Sequence, residues 1–136
     1  MVIRRMKQWM AGGCSVLILG VGTLAAMAGD AAWTAPAAEK GKKNPLPHEA
    51  GVKDGRKVFE LNCQVCHGPA GKGDGPAGAA LNPKPKDLSS KVVQTETDGG
   101  LFWKISTGRG SMPPWQQLPE KDRWSVVHFV RSLAKK

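Results

Sequence analysis

Apolar positions fall along the chain in blocks of different rhythm, and each rhythm predicts a different element. The first block, Val16-Leu17-Ile18-Leu19-Gly20-Val21-Gly22-Thr23-Leu24-Ala25-Ala26, is an uncharged run without polar alternation. Residues 29–48 come next, with no apolar period. Residues 50–62 then read as a helix, with Val58 and Leu61 three apart and Phe59 beside them. Gly55, Phe59 and Cys63 stand at i, i+4 and i+8 along one face of it. A mid-helix glycine costs about 1 kcal/mol relative to alanine, so Gly55 predicts the close approach of another backbone. Residues 68–96 lose all period under Gly68, Gly71, Gly73, Gly75, Gly78, Pro69, Pro76, Pro83 and Pro85, which predicts a long loop with a functional role. A short helix is expected over Gly99–Thr107, capped by Thr97 or Asp98, with Leu101 and Ile105 four apart and Gly108 as its stop. The last helix opens on Pro119-Glu120 and gathers Arg131, Lys135 and Lys136 at its end. Its apolar positions, Trp124, Val127, Phe129, Val130 and Leu133, cover a broad face. Nothing alternates as a strand does, so the fold class is all-α with long loops.

The opening apolar run carries its own context. Arg4, Arg5 and Lys7 precede it, and Ala26-Met27-Ala28 supplies small residues where a signal peptidase needs them. Residues 1–28 read as a signal peptide cleaved before Gly29. The competing reading is an uncleaved anchor, because Met10–Ala28 is about long enough to span a bilayer, although glycine, serine and threonine dilute it. Cys14 does not mark lipid attachment, since it stands before the apolar run and not after it. Residues 29–48, rich in Ala, Pro, Lys and Gly, cannot bury enough surface to offset their ordering entropy and are expected to form a flexible tether. Residues 49–136 remain as the single folded domain.

Composition sharpens this picture in two ways. A domain of that size with few aromatics lies near the lower limit for a self-sufficient core, and a large flat apolar cofactor would help fill it. Cleavage before Gly29 removes three of the 20 basic residues and none of the 11 acidic ones, which leaves a net charge of about +6. An exported protein does not meet the genome, so that charge points to an acidic protein partner or an anionic membrane surface rather than to nucleic acid.

Cys63-Gln64-Val65-Cys66-His67 carries the chemistry. Cys-x-x-Cys-His is the attachment pattern of a c-type haem: one helical turn offers two thiols to the vinyl groups and an imidazole to the iron. A thioredoxin-like redox pair would need a βαβ setting that is absent, and zinc would need two further ligands for which only His48 and His128 are available, neither at finger-like spacing. The iron then wants a sixth ligand. Met1, Met6, Met10 and Met27 lie in the targeting segment, which leaves Met112, set in Gly108-Arg109-Gly110-Ser111-Met112-Pro113-Pro114-Trp115. Glycines let the chain turn there, and the two prolines keep the next stretch of chain extended. His128 is the rival ligand and His48 a remote one.

These residues together resemble a class I monohaem cytochrome c, close to the short bacterial group that includes the subunit III type of cbb3 oxidases. The matching residues are Gly55, Phe59, Cys63, Cys66, His67 and Gly68, then Gly71-Lys72-Gly73-Asp74-Gly75-Pro76, Leu81-Asn82-Pro83-Lys84-Pro85, Met112-Pro113, Trp124 and Val127. The resemblance covers nearly all of the folded part. It implies a small cytochrome c fold of three to five helices wrapped around one covalent haem c and its iron. It also implies that Gly55 and Phe59 pack under Trp124, Val127 and Phe129, and that the Pro76 carbonyl accepts the Nδ1–H of His67, fixing the tautomer. Family members often carry tyrosine where this chain has Phe129.

With His67 and Met112 on the iron, no coordination position is open to a substrate, and a thioether ligand raises the potential. The expected function is a non-enzymatic periplasmic electron carrier, passing single electrons between a dehydrogenase or respiratory complex and an acceptor oxidase or reductase. The alternative is a haem c subunit or tethered module of a larger oxidoreductase. A gas binder or peroxidase, with His128 as the distal group, is a third class. Expected partners are redox proteins with acidic docking surfaces, met by Lys72, Lys84, Lys86 and Arg109; no nucleic acid or small-molecule substrate is expected, and membrane association only if residues 1–28 are retained.

Overall fold

In the computed structural model, which describes residues 33–134, the packing is organised by two helices that cross at a glycine. α1 (Ala37–Lys40) is a single turn; α2 (His48–Asn62) and α6 (Glu120–Ser132) are the long elements; α3 (Gln64–His67) and α4 (Lys91–Gln94) are again single turns, and α5 (Asp98–Thr107) completes the set. A 3-10 turn covers Gly78–Ala80. Among the described residues there is no strand, and no helix is long and apolar enough to cross a membrane. The all-α class is as expected. The helix number exceeds three to five because α1 and α4 are single turns in segments with no periodicity to betray them.

α2 and α6 meet where Gly55 lies against Ser125. A Cβ on Gly55 would stand 1.9 Å from the Ser125 carbonyl oxygen, so only glycine permits this crossing. Above it, Phe59 and Phe129 are tilted at 4.9 Å between ring centroids, and both are about 1% exposed. The run Trp124–Val130 is buried without a break, wider than the face predicted from its apolar residues. Trp124 belongs with Phe59, Val127 and Phe129 to one buried cluster and stacks on Phe102 of α5 at 4.0 Å. α5 begins and ends as its sequence predicts. Thr97 caps it by accepting the Gly100 N–H at 3.1 Å, and Gly108 stops it at φ +60°.

The last turn of α6 is tied to the start of α5. Arg131 donates from Nε to Asp98 at 2.8 Å and from its guanidinium to the carbonyls of Gln94 and Glu96. Gln94 in turn donates to the carbonyls of Leu88 and Val130 at 2.7 and 2.9 Å.

The segment expected as a free tether is, from Trp33 onward, part of this fold. Ala35 is 3% exposed. α1 lies on the opening turn of α5, where a Cβ on Gly99 would stand 1.9 Å from the Glu39 carbonyl oxygen. Asn44 donates to the Trp124 carbonyl at 2.9 Å, and the Leu46 carbonyl meets Nε2 of His128 at 3.0 Å. This strap is held by hydrogen bonds and close backbone contact, neither of which hydropathy registers. The proposed signal peptide, residues 1–28, and the terminal Lys135 and Lys136 lie outside the described residues.

Candidate haem site

α2 does not end cleanly at Asn62; its path continues through the Cys-x-x-Cys-His motif. Cys63 donates its N–H to Phe59 at 2.8 Å, and its own carbonyl accepts from Cys66 at 3.1 Å and from His67 at 2.9 Å. One helical turn therefore presents Cys63, Cys66 and His67 on a shared face. Both cysteines are free and half-buried. Burial, and then the neighbouring Cys66, push the Cys63 thiol up to about 12. A dithiol redox centre needs the opposite, a thiol lowered toward neutrality. A protonated thiol is what adds across a vinyl group to leave a thioether.

His67 is shaped for the same group. Burial lowers its pKa from 6.5, while the Lys86 backbone acts in the opposite direction, so the ring is neutral and able to ligate. Its Nδ1 is buried and has no hydrogen-bond partner. The bond expected from Pro76 is not made. Pro76 is exposed. The two thiols and the neutral imidazole on one turn fit a covalent haem, for which Cys63 and Cys66 would hold the macrocycle and His67 the iron. Among the described residues no three His, Cys, Asp or Glu side chains converge on a point, which leaves the zinc reading without ligands.

The glycine-rich loop after the motif wraps the motif's own backbone. N–H groups of Gly73, Gly75 and Ala77 donate to the carbonyls of His67, Cys66 and Val65 at 2.8, 3.2 and 3.0 Å. These are the carbonyls that a helix end leaves unpaired. Gly75 is required for the approach, since its Cβ would lie 2.5 Å from the Val65 oxygen.

Met112 stands on a tight turn that folds back on α5. Arg109 and Met112 exchange both backbone hydrogen bonds, at 2.9 and 3.0 Å, around Gly110 at φ +56°. Beyond the two prolines, the Trp115 N–H donates to the carbonyls of Ile105 and Ser106 at 3.1 and 3.2 Å. Met112 is half-buried on this turn. The rival ligand is engaged elsewhere. His128 is only 7% exposed, not the partly exposed residue its helix position suggests, and its ring lies against Gly51 and, edge-on at 5.1 Å, against His48. Gly51 is near the start of α2, about 18 Å of helix from Cys63. His48 and His128 thus meet at the end of α2 away from the attachment turn.

Two apolar side chains near the motif face solvent. Leu61, counted among the apolar positions of α2, is 85% exposed, and Val65 is 54% exposed. They are four apart and flank Cys63, so an apolar patch borders the attachment turn. Lys72, Lys84, Lys86 and Arg109 are exposed as expected.

Residues 50–130 match the family described as cytochrome c oxidase, cbb3-type, subunit III. Cytochrome c6 of Cladophora glomerata is 30% identical over 89 residues, covering 61% of this chain and 89% of that protein. Cytochrome c6 of Chlorolobion braunii is 30% identical over 93 residues, covering 63% and 94%. The cbb3-type cytochrome c oxidase subunit FixP of Bradyrhizobium diazoefficiens is 34% identical over 82 residues, but these make up 58% of this chain and only 26% of FixP. A solved chain of the Kuenenia stuttgartiensis reducing HAO-like protein complex superposes with a TM-score of 0.58 at 27% identity, over 69% of this chain and 50% of that one.

Proposed function

The chain belongs to the family of cbb3-type cytochrome c oxidase subunit III cytochromes, class I c-type cytochromes with covalent haem c, and we propose that it serves as an exported, non-enzymatic carrier of single electrons. Bound haem supplies an iron that alternates between Fe(II) and Fe(III). Cys63 and Cys66 would hold the haem by thioethers, and His67 and Met112 would ligate its iron. The observation that carries the reading is the hydrogen-bonded turn from Cys63 to His67, which brings two thiols and a neutral imidazole together.

With both ligands supplied by the chain, the iron would offer no open position to a substrate. The peroxidase reading loses its distal group, because His128 is bonded to Leu46 at the other end of α2. The carrier works in the periplasm and docks on an acidic partner through Leu61 and Val65, with Lys72, Lys84, Lys86 and Arg109 contributing the charge. A second reading, a haem c module within a larger oxidoreductase, is favoured by FixP, of which this chain matches only a quarter.

Absorption spectra of the purified protein, oxidised and reduced, test the first reading. A low-spin c-type spectrum with a weak far-red sulfur–iron band is expected, and its absence would overturn the ligand set. Size-exclusion chromatography with and without detergent separates a free carrier from a complex subunit.

A further inference from the structure

The segment that bears Met112 leaves α5 after Thr107 and returns at Pro119, and one side chain closes its neck. Arg123, in the first turn of α6, donates from its guanidinium to the Ser106 hydroxyl in the last turn of α5. Ser106 is 6% exposed, and its hydroxyl donates onward to the Phe102 carbonyl at 2.8 Å. The guanidinium also lies over the Phe102 ring at 4.8 Å. On its other side, the same last turn of α5 offers the Ile105 and Ser106 carbonyls to the Trp115 N–H. One turn of helix thus receives the return of the loop twice, once from Arg123 and once from Trp115.

We infer that Arg123 is a positioning residue that holds Met112 in place for ligation, acting through Ser106 and the Trp115 tie. The inference rests on the reading of Met112 as iron ligand. A thioether is a neutral, weak ligand, so its hold depends on how firmly the loop presents it, as an effective concentration. If the last turn of α5 frays, the two carbonyls that receive Trp115 are lost together and Met112 becomes free to leave. A half-buried guanidinium whose Nε lacks a partner is a costly way to join two helices. What it supplies is a directed bond at the neck of this loop.

Arg131 provides the comparison. It too joins α6 to the region of α5, but at Asp98, the opposite end of α5 from Ser106. The experiment titrates the oxidised holoprotein with imidazole, which competes for the sixth position, and monitors the loss of the far-red sulfur–iron absorption. Arg123→Gln is expected to raise imidazole affinity about tenfold, equivalent to about 1.4 kcal/mol. Ser106→Ala should act in the same direction and Arg123→Lys should return part of the effect. Hydrogen exchange at the Trp115 amide should quicken in Arg123→Gln. Arg131→Gln should lower the melting temperature yet leave imidazole affinity within about twofold of wild type, since it touches neither carbonyl. Wild-type imidazole affinity in Arg123→Gln, or an equal rise in Arg131→Gln, would overturn the inference. Should Arg123→Gln fail to fold, wild-type affinity in Ser106→Ala, which removes a single oxygen, would do the same. A far-red band that survives Met112→Ala would instead overturn the ligand reading beneath it.

Discussion

Gly55 and Ser125 touch so closely that a methyl group on the first would stand 1.9 Å from the carbonyl oxygen of the second. Helix propensity alone favours Gly55→Ala by about 1 kcal/mol. The overlap is with backbone, which cannot swing aside, so the two long helices must separate and the Phe59–Phe129 contact must open with them. Net destabilisation of about 2–3 kcal/mol is expected, read from thermal unfolding of the holoprotein. Gly41→Ala is the control. Its Cβ would meet nothing closer than 3.8 Å, at an ordinary helical φ of −72°, and should be neutral or slightly stabilising.

The strap from Trp33 to Leu46 gives a second test. Asn44 both donates to the Trp124 carbonyl and accepts the Leu46 N–H, so Asn44→Ala removes two contacts at once. A loss of about 1 kcal/mol in unfolding free energy is expected. A free tether would show no change.

One physical division separates the features legible in the sequence from those hidden in it. α5 was readable end to end because its cap, its apolar pair and its stop are all local. Gly55 was readable because a glycine inside a helix is costly without a reason. The attachment turn was readable because its three residues act through spacing on a single turn. The strap was not: Gly99, which makes room for it, looks like an ordinary helix-start residue until the partner is seen. Leu61 was placed inward by its three-residue spacing from Val58, yet the helix turns it to solvent beside Cys63. A bond to His67 was expected from Pro76, nine residues on, yet Pro76 is exposed and the buried Nδ1 has no partner. Contacts between distant segments leave no period to read.

The cofactor should be needed for the fold. Cys63 and the attachment turn border the main cluster of buried residues, and the long glycine-rich loop is anchored to the carbonyls of that same turn. Cys63→Ser with Cys66→Ser is expected to give a largely disordered, protease-sensitive chain. Circular dichroism showing native helical content without haem would contradict this.

Docking should depend on charge and on the apolar patch in separable ways. Replacing Lys72, Lys84 and Lys86 by glutamine should slow association with an acidic redox partner and flatten its salt dependence, which is set by a Debye length of about 8–10 Å. Leu61→Ser with Val65→Ser should leave the salt dependence intact and raise the dissociation rate, because apolar contact acts after encounter. Stopped-flow electron transfer across a range of ionic strength measures both. Rates that ignore salt would remove the steering argument.

The identity of the sixth ligand can be decided between two named residues. Met112 sits on a turn closed by paired hydrogen bonds with Arg109 and succeeded by two prolines and the Trp115 tie, an arrangement that presents a side chain without burying it. His128 is bonded through Nε2 to Leu46, pressed on Gly51 and about 18 Å of helix away from the attachment turn. Met112→Ala should therefore abolish the far-red sulfur–iron band, lower the reduction potential by removing a ligand that favours Fe(II), and let the reduced protein bind CO. His128→Ala should leave all three unchanged. Its cost falls on stability, about 1–3 kcal/mol, because the Leu46 carbonyl loses its partner and a cavity opens over Gly51. The two variants thus separate on different axes, one spectroscopic and one thermodynamic. If Met112→Ala kept the wild-type spectrum while His128→Ala opened the iron to CO, the ligand pair would be two histidines. The high-potential carrier role built on the thioether would then fall with it.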